Sequence, residues 1–393
     1  MRKGWEYKKL GEVCTLISDG SHNPPKGIDH SLYRMISSQN VFDDNLQITE
    51  DNVRYITESD HLCENKRTKL QKDVVLLTIV GTIGRSCVLK GNEGCLTLQR
   101  SVAALHPSDQ IMPRYLMHCL IGNRHTLNQE AHGIAQKGIY LKQLSSLSIP
   151  LPPKSTQLAI VSELDKINEL IRLKKEQLKD FDNLAQSLFY EMFGDPVENE
   201  KGWEVKKIGD LALVKTGPFG SMLHKEDYIC DGIPLVNPVH MKDFKIVPDL
   251  DFTISKEKAS ELENYLLKSN DVVFARRGDI GRCAIVSEAE QGFICGTGSL
   301  FVRFSKEIES IFIMYIIRCD SFSKHLISKA KGATMLNINS NTIADLRIPL
   351  PPLSLQRLFA QRIEQIEREK SEVQKSIQDL ETLLASRMQY WFE

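Results

Sequence analysis

Apolar residues recur at heptad spacing in two long stretches of the chain, residues 154–193 and residues 353–393. Neither stretch contains Gly or Pro, and each follows a proline-rich segment, residues 150–153 and 349–352, that cannot lie inside a helix. At 1.5 Å per residue each predicted helix is about 58 Å long, too long to be buried by a globular neighbour alone. We therefore predict that the two helices pair as an antiparallel coiled coil. The apolar a and d positions of its seam are Ile160, Leu164, Ile167, Ile171, Leu178, Phe181 and Leu188 in the first helix, and Phe359, Ile363, Ile366, Val373, Ile377, Leu380 and Leu384 in the second.

Charged residues interrupt this seam at different levels in the two helices. Lys174 occupies a d position in the first, and Lys370 and Arg387 occupy a and d positions in the second. An antiparallel pair would hold the two intervening modules at opposite ends, related by an approximate twofold axis. The alternative is that each helix lies on its own domain.

The remaining segments alternate short apolar runs with turns rich in Gly, Asn and Pro, which predicts mixed α/β modules. Strands are predicted over residues 74–80, 96–104, 272–275 and 300–304, and helices over 113–122 and 308–328. The predicted fold class is α+β, with two similar modules and two long helices. The predicted domains are residues 1–153, 154–193, 194–352 and 353–393, and Gly194 with Pro196 ends the first long helix.

The two modules are copies of one unit. The opening block that begins at Gly4 returns at Gly202, about 198 residues later, and the turn that begins at Gly81 returns at Gly278. The helix entry at residues 149–153 likewise returns at residues 348–352. Such a period is too long for a solenoid, so it indicates a tandem duplication.

Composition places the chain among ordinary globular proteins. Its 393 residues are 41% hydrophobic and 26% charged with a net charge of −1, which suits two domains and leaves any nucleic-acid contact to local clusters. The nine cysteines show no zinc-type spacing, and neither a signal peptide nor an apolar span of about 18 residues occurs. We expect a cytoplasmic protein with no metal site.

Catalytic motifs are missing from the sequence. There is no nucleotide-binding P-loop, dinucleotide fingerprint, zinc-protease motif or nucleophile elbow. Residues 23–26, Asn-Pro-Pro-Lys, resemble the motif of amino-methyltransferases, but Lys26 replaces the aromatic ring and no S-adenosylmethionine loop precedes it. A rigid Pro-Pro loop is the favoured interpretation.

Polar and basic residues concentrate in the loops, where such side chains can serve DNA phosphates and base edges. Turn and core positions match between the copies while these loop residues differ, as expected if one scaffold carries two different reading surfaces. Neutral drift after duplication is the alternative. The candidate DNA contacts are His22, Lys26, Gln39, Asn40, Arg85, Arg100, Lys137 and Tyr140 in the first copy, and Phe219, Ser221, Asn237, Arg276, Arg277, Arg282, Lys331 and Asn337 in the second.

These motifs together resemble the specificity subunit of type I restriction-modification systems. The carriers are the Gly-Trp-Glu openings at Gly4 and Gly202, the Gly-x-Ile-Gly-Arg turns at Gly81 and Gly278, the repeated Ile-Pro-Leu-Pro-Pro helix entries, and the segment Glu-Met-Phe-Gly-Asp-Pro at residues 191–196. The resemblance covers essentially the whole chain.

The resemblance implies that residues 1–153 and 194–352 are target-recognition domains that each read one half of a bipartite double-stranded DNA site. It implies that the helices dock methyltransferase subunits, two of them, and that restriction subunits complete an ATP-dependent nuclease. S-adenosylmethionine, ATP and Mg²⁺ would then bind to those partners, and this chain would be non-catalytic and bind no cofactor. Two other functions stay open: a self-contained methyltransferase and a two-headed protein-interaction scaffold.

Overall fold

The protein is described here from a computed structural model, which covers residues 5–132, 137–219, 222–330 and 337–392. The chain divides into two compact units, Met1–Lys175 with Lys375–Glu393, and Glu176–Gln374. This division does not follow the predicted segments, because both long helices pass from one unit to the other. Each unit therefore contains one globular module and part of each long helix.

The first module and the helix that follows it contain eleven strands and six α-helices within the described residues. The strands are β1 (Glu6–Lys9), β2 (Cys14–Asp19), β3 (Tyr33–Ile36), β4 (Val41–Phe42), β5 (Asn45–Leu46), β6 (Arg54–Tyr55), β7 (Val75–Thr78), β8 (Ser86–Val88), β9 (Cys95–Leu98), β10 (Val102–Pro107) and β11 (Ser148–Leu151). The helices are α1 (Leu10–Val13), α2 (Glu58–Thr68), α3 (Pro113–Gly122), α4 (Arg124–Gln129), α5 (Leu141–Ser146) and the long α6 (Lys154–Phe193).

The second module repeats this order with small differences. Its strands are β12 (Glu204–Lys207), β13 (Ala212–Thr216), β14 (Tyr228–Ile229), β15 (Ile233–Val236), β16 (Met241–Lys242), β17 (Lys245–Ile246), β18 (Thr253–Ile254), β19 (Val272–Ala275), β20 (Cys283–Ile285), β21 (Ile294–Cys295), β22 (Ser299–Phe304) and β23 (Arg347–Leu350). Its helices are α7 (Ile208–Leu211), α8 (Lys256–Glu261), α9 (Ser310–Arg318), α10 (Asp320–Lys329), α11 (Ser340–Ala344) and the long α12 (Leu353–Phe392).

A four-stranded antiparallel sheet forms the centre of each module, in the order β2-β10-β7-β8 in the first and β13-β22-β19-β20 in the second. Alternate residues of a strand point to opposite faces. Val75 and Leu77 of β7 accordingly pack with helices α3 and α6, whereas Leu76 packs with the smaller sheet β6-β3-β9. The same alternation in β19 separates Phe274 from Val273, so each central sheet has a core on both faces.

Two sequence-based boundaries differ from the structure. The predicted strand 96–104 is two strands, β9 and β10, which belong to different sheets and are joined by residues 99–101. The predicted helix 308–328 is interrupted at Cys319, whose backbone is extended (φ −65°, ψ 130°) between α9 and α10.

Within each unit the segments of α6 and α12 lie antiparallel. In the first unit Lys175 pairs with Glu381 at 2.7 Å, and Glu163, earlier in α6, accepts hydrogen bonds from Arg387 and from the indole of Trp391. The Arg387 guanidinium holds the pKa of the Glu163 carboxyl below its usual range. In the second unit Lys370 pairs with Asp182 at 2.8 Å. The charged seam positions Lys370 and Arg387 are thus ion-paired rather than left alone.

The seam positions fall into two burial groups. The helix entries pack against their own modules as well as along the other helix: Ile160 and Leu164 belong to the core of the first module, and Phe359 and Ile363 to that of the second. Buried positions are Ile160, Leu164, Ile167, Ile171, Phe359, Ile363, Ile366, Val373 and Ile377, and half-buried positions are Leu178, Phe181, Leu188, Leu380 and Leu384. None of the helices in the described chain has the length and apolar character needed to cross a membrane.

A buried glutamine fixes the start of each long helix. The amide oxygen of Gln157 accepts a hydrogen bond from the Met112 backbone at 2.9 Å, and its nitrogen donates to the carbonyls of Gln110 and Pro152, both at 3.0 Å. Gln356 repeats this arrangement with the Glu309 backbone at 3.1 Å and the Pro351 carbonyl at 2.8 Å. Both side chains are almost fully buried, so each one satisfies main-chain groups that water cannot reach.

Replacing Gln356 with Leu should lower the free energy of unfolding by about 1 to 3 kcal/mol, because buried backbone groups lose their partners. Gln157→Leu should cost at least as much, since three groups are affected there. Urea unfolding of the full chain measures both. Gln361→Leu, on an exposed site of the same helix, is the matched control. Equal stability of Gln356→Leu and Gln361→Leu would contradict the assigned role.

Candidate nucleic-acid interface

The loops that carry the first copy's candidate residues meet at one end of its central sheet. In the order β2-β10-β7 the end of β2, the beginning of β10 and the end of β7 are neighbours, because the strands are antiparallel. The Gly20 amide donates to the Val102 carbonyl at 3.2 Å, and the Ile79 amide donates to the Ser101 carbonyl at 2.9 Å. We call this surface the first loop end; it comprises residues 19–26, 37–40, 79–85, 99–101 and 137–140.

Two further loops join the first loop end through hydrogen bonds. The Ser38 amide donates to the Ser101 hydroxyl at 3.0 Å, which attaches the loop after β3. The Ile139 amide donates to the Ile79 carbonyl at 2.9 Å, which attaches the segment before α5. Segments distant in sequence thus form one continuous surface.

The second unit builds the corresponding surface with the same main-chain contacts. The amides of Gly217, Arg276 and Ile338 donate to the carbonyls of Ser299, Gly298 and Arg276, at 3.0, 3.1 and 2.9 Å respectively. The side-chain oxygen of Asn237 accepts from the Gly298 amide at 3.1 Å. We call this surface the second loop end; it comprises residues 216–219, 237–240, 276–282, 296–299 and 337–339.

A close backbone approach requires glycine at the same point of both surfaces. A Cβ atom on Gly20 would lie 2.1 Å from the Leu98 carbonyl oxygen, and one on Gly217 would lie 2.0 Å from the Gly296 carbonyl oxygen. No side chain can be accommodated at either distance. The two loops therefore touch through their backbones alone.

Most of the candidate residues are exposed on these surfaces. Tyr140 and Phe219 expose 70% and 62% of their surface, which is unusual for aromatic side chains and leaves their rings free for contact. Arg85 is half-buried with its guanidinium 4.8 Å from the Phe42 ring, and Asn237 is half-buried beside Gly298. The exposed candidates are His22, Lys26, Gln39, Arg100, Lys137 and Tyr140 in the first unit, and Phe219, Arg277, Arg282 and Asn337 in the second. Ser221 and Lys331 lie outside the described residues.

Asn40 does not suit the predicted role of a DNA contact. It is fully buried, its amide oxygen accepts from the Ser37 backbone at 2.8 Å, and its nitrogen donates to the carbonyls of Gln47 and Asn52, both at 3.1 Å. Every polar group of the side chain is thus used inside the protein. Asn40 shapes the loop after β3 and leaves its exposed neighbour Gln39 as the residue available for contact.

Several basic side chains of the two loop ends have no ion-pair partner within the described residues. Among the residues that the structure describes, no carboxylate forms an ion pair with Arg100, Lys137 or Arg277. His22 and Arg282 are instead paired, with Asp19 at 2.6 Å and with Asp279 at 2.8 Å. A net charge near zero is therefore compatible with a local positive field at each loop end.

Two contributors to these surfaces were not among the predicted residues. The loop at residues 296–298, Gly-Thr-Gly, touches Gly217, Asn237 and Arg276, and its paired glycines between two strands were the available signal. Arg124 donates to the Gly84 carbonyl at 3.2 Å and also pairs with Asp43, so it supports the turn after β7 from helix α4. Nothing local in the sequence indicates that contact.

The titratable groups form no metal centre in the described residues. No cluster of three or more His, Cys, Asp or Glu side chains there could hold a metal ion. Burial in the cores raises the thiol pKa values of Cys87, Cys119 and Cys283 to about 12, which marks these thiols as unreactive.

Known proteins resemble both halves of the chain. Residues 2–180 and 200–382 match the family model described as type I restriction modification DNA specificity domain. The type I restriction enzyme MjaVIII specificity subunit of Methanocaldococcus jannaschii is 22% identical over 340 residues, spanning 80% of this chain and 78% of that protein.

Two solved structures share the fold. One, reported for complex assembly and conformational transition of the type I R-M system, gives a TM-score of 0.62 at 17% identity and covers 100% of this chain and 98% of its own. The S subunit of a type I restriction-modification system from M. genitalium gives 0.56 at 13% identity, covering 99% and 96%. These likenesses confirm the predicted α+β class.

Replacing Asn40 with Ala should lower the free energy of unfolding by about 1 to 3 kcal/mol, because buried backbone groups lose their partner. Gln39→Ala, at the exposed neighbouring position, should change stability by no more than about 0.5 kcal/mol. Chemical unfolding of the full chain compares the two. If both variants unfold like the parent, Asn40 has no structural role.

Proposed function

Because the chain belongs to the family of type I restriction-modification DNA specificity proteins, through matches in both halves, we propose that each loop end reads one half of a bipartite DNA site. The chain is the sequence-selecting subunit of a restriction-modification complex. Chemistry on the DNA is assigned to partner subunits, so this chain acts by binding and positioning alone.

The observation that carries this proposal is one scaffold bearing two different sets of side chains. The main-chain hydrogen bonds at the two loop ends correspond, yet Ile79 and Val80 of the first are replaced by Arg276 and Arg277 in the second. Two half-sites share the same duplex backbone but differ in base sequence. Their recognition therefore calls for the same backbone scaffold in both units and for different side chains at the base edges. The two loop ends meet both requirements.

The exposed side chains supply the chemistry of such contacts. Arg100, Lys137 and Arg277 can neutralise phosphates, while Gln39 and Asn337 can donate to and accept from an adenine edge. The exposed rings of Tyr140 and Phe219 offer apolar surface for a thymine methyl group or a base. Contacts of both kinds on one surface are what a sequence reader needs.

We further propose that the long helices dock methyltransferase subunits, one for each half of the site, and that restriction subunits join through them. Support comes from apolar side chains that face solvent along both helices, such as Leu158 and Leu173 in the first unit and Leu184 and Leu358 in the second, which expose 42% to 57% of their surface. S-adenosylmethionine, ATP and Mg²⁺ are assigned to these partners.

Co-expression with a methyltransferase subunit of the same system, followed by genome-wide mapping of methylated adenine, tests the proposed function. We expect a bipartite sequence with a fixed unread spacer. Exchanging residues 1–150 for those of a relative should then change one half of the sequence and leave the other intact. Altered recognition in both halves, or methylation without sequence preference, would contradict the proposal. The unexchanged chain expressed beside the same subunit is the control.

The long helices should also set the length of the unread spacer. Inserting one heptad into both α6 and α12 adds about 10.5 Å of helix, so the spacer should lengthen by up to about three base pairs at 3.4 Å each. Methylation mapping of the insert reports the change directly. Insertion into α6 alone disturbs the pairing of the seams and should abolish recognition. An unchanged spacer in the double insert would exclude this role.

A further inference from the structure

The two loop ends differ in charge at one buried position. Ile79 and Arg276 make equivalent backbone contacts. Their amides donate to the carbonyls of Ser101 and Gly298, at 2.9 and 3.1 Å, and their carbonyls accept from the amides of Ile139 and Ile338, both at 2.9 Å. Ile79 is 3% exposed and belongs to the core of its unit. Arg276 is 8% exposed at the same place. A cation thus occupies a position that the other copy fills with an aliphatic side chain.

This cation has no ion-pair partner in the described part of the second unit. The Nε atom of Arg276 is shut off from solvent and has no hydrogen-bond partner, and no carboxylate forms an ion pair with the guanidinium. Its sequence neighbour Arg277 adds a like charge. Burial, together with that charge, lowers the pKa of Arg276 from its usual value. The free protein therefore carries an unfavourable arrangement at this point.

Elsewhere the same unit satisfies a half-buried arginine fully. Arg303 donates to both oxygens of the buried Asp271, at 2.8 and 2.7 Å, and to the Leu266 carbonyl at 2.9 Å. The contrast shows that a compensated arginine in this fold has a carboxylate and a carbonyl as partners. Arg276 has neither, so acceptors from outside the protein would complete its environment.

DNA offers two kinds of acceptor, phosphate oxygens and base edges, and the comparison between copies separates them. Phosphates are the same in both half-sites, so a phosphate contact gives no reason for one copy to hold Ile79 and the other Arg276. A base contact does, since the half-sites differ in sequence. A guanidinium with restricted motion also suits the planar, two-point contact with guanine O6 and N7. The exposed Arg277 is the better residue for a phosphate.

We propose that Arg276 is a specificity-determining residue that recognises a guanine in the half-site read by the second loop end. This inference rests on the proposed function. In the free protein the buried guanidinium has no carboxylate partner and its Nε atom has no acceptor, and the guanine edge supplies acceptors when DNA binds. Arg276 therefore lowers the stability of the free protein and increases the discrimination between guanine and the other bases.

Arg276→Ile, which installs the residue of the other copy, is the decisive variant. The full chain with its methyltransferase partner is used to select from duplexes randomised over both half-sites. We expect preference for guanine at one position of one half-site to fall by about 5- to 150-fold, with the other half-site unchanged. The midpoint temperature of unfolding of the variant should rise by about 2 to 4 °C, because the buried charge is removed. Arg276→Met, which keeps an unbranched stem, should behave alike.

Two further variants separate the alternatives. Arg277→Ala should weaken binding to all sequences and reduce the salt slope by about one phosphate contact. Arg347→Ala, an exposed arginine on β23, serves as the mutagenesis control. Uniform weakening in Arg276→Ile would assign the residue to a phosphate and overturn the proposal, as would an unchanged sequence preference or a lower unfolding temperature. If the unmodified complex selects no bipartite sequence, the proposed function is wrong. If the unmodified complex selects a bipartite sequence and Arg276→Ile selects the same one, only the role of Arg276 is wrong.

Discussion

Hydrogen bonds between main-chain groups hold each loop end together, and the rest of the functional surface depends on them. The amides of Gly20 and Gly217 donate to the first carbonyl of the neighbouring sheet strand, in β10 and β22 respectively. The amides of Ile79 and Arg276 donate to the carbonyl of the residue just before that strand, namely Ser101 and Gly298. Backbone contacts do not depend on side-chain identity. Side chains at these loops can therefore change without loss of the surface that presents them, and only the glycine at the closest approach is fixed.

Below the loops, the antiparallel order of each central sheet decides which loops can meet. The end of one strand, the start of its neighbour and the end of the next must lie side by side. Cores on both faces of the sheet, such as those containing Leu77 and Leu76 of β7, keep these strand ends in place. The long helices are anchored to this body through Gln157 and Gln356, so any partner that binds the helices is held in a defined relation to the loop end of the same unit.

Sequence patterns predicted elements well where one local signal dominates. Helix α3 begins at Pro113 and ends at Gly122 as expected, and β19 matches its predicted range, because proline, glycine and a short apolar run mark those boundaries. The predicted single strand at residues 96–104 is wrong, because the polar residues 99–101 separate two short apolar runs that pair in different sheets. The break at Cys319 had no marker at all.

The candidate residues show the same limit. The duplication located the loops, but exposure is set by tertiary packing, so composition could not distinguish the buried Asn40 from the exposed Gln39. It could not separate Arg276 from Arg277 either. In β-like backbone adjacent residues point to opposite sides. One of these two adjacent arginines therefore faces inward. Which one it is depends on which face of the strand is buried, and that is known only from the structure.

The duplicated architecture gives this inward arginine its significance. Two copies that share a backbone have the same requirements for folding. A buried residue that lowers the stability of only one copy is therefore not explained by the fold. Ile79 shows that an aliphatic residue is sufficient for packing at this place. We account for the charge at Arg276 by an interaction that is absent from the free chain. Under the proposed function each unit contacts one half-site, and the two half-sites differ in base sequence. The buried position that carries a charge in only one copy is therefore where we expect a residue that reads that sequence.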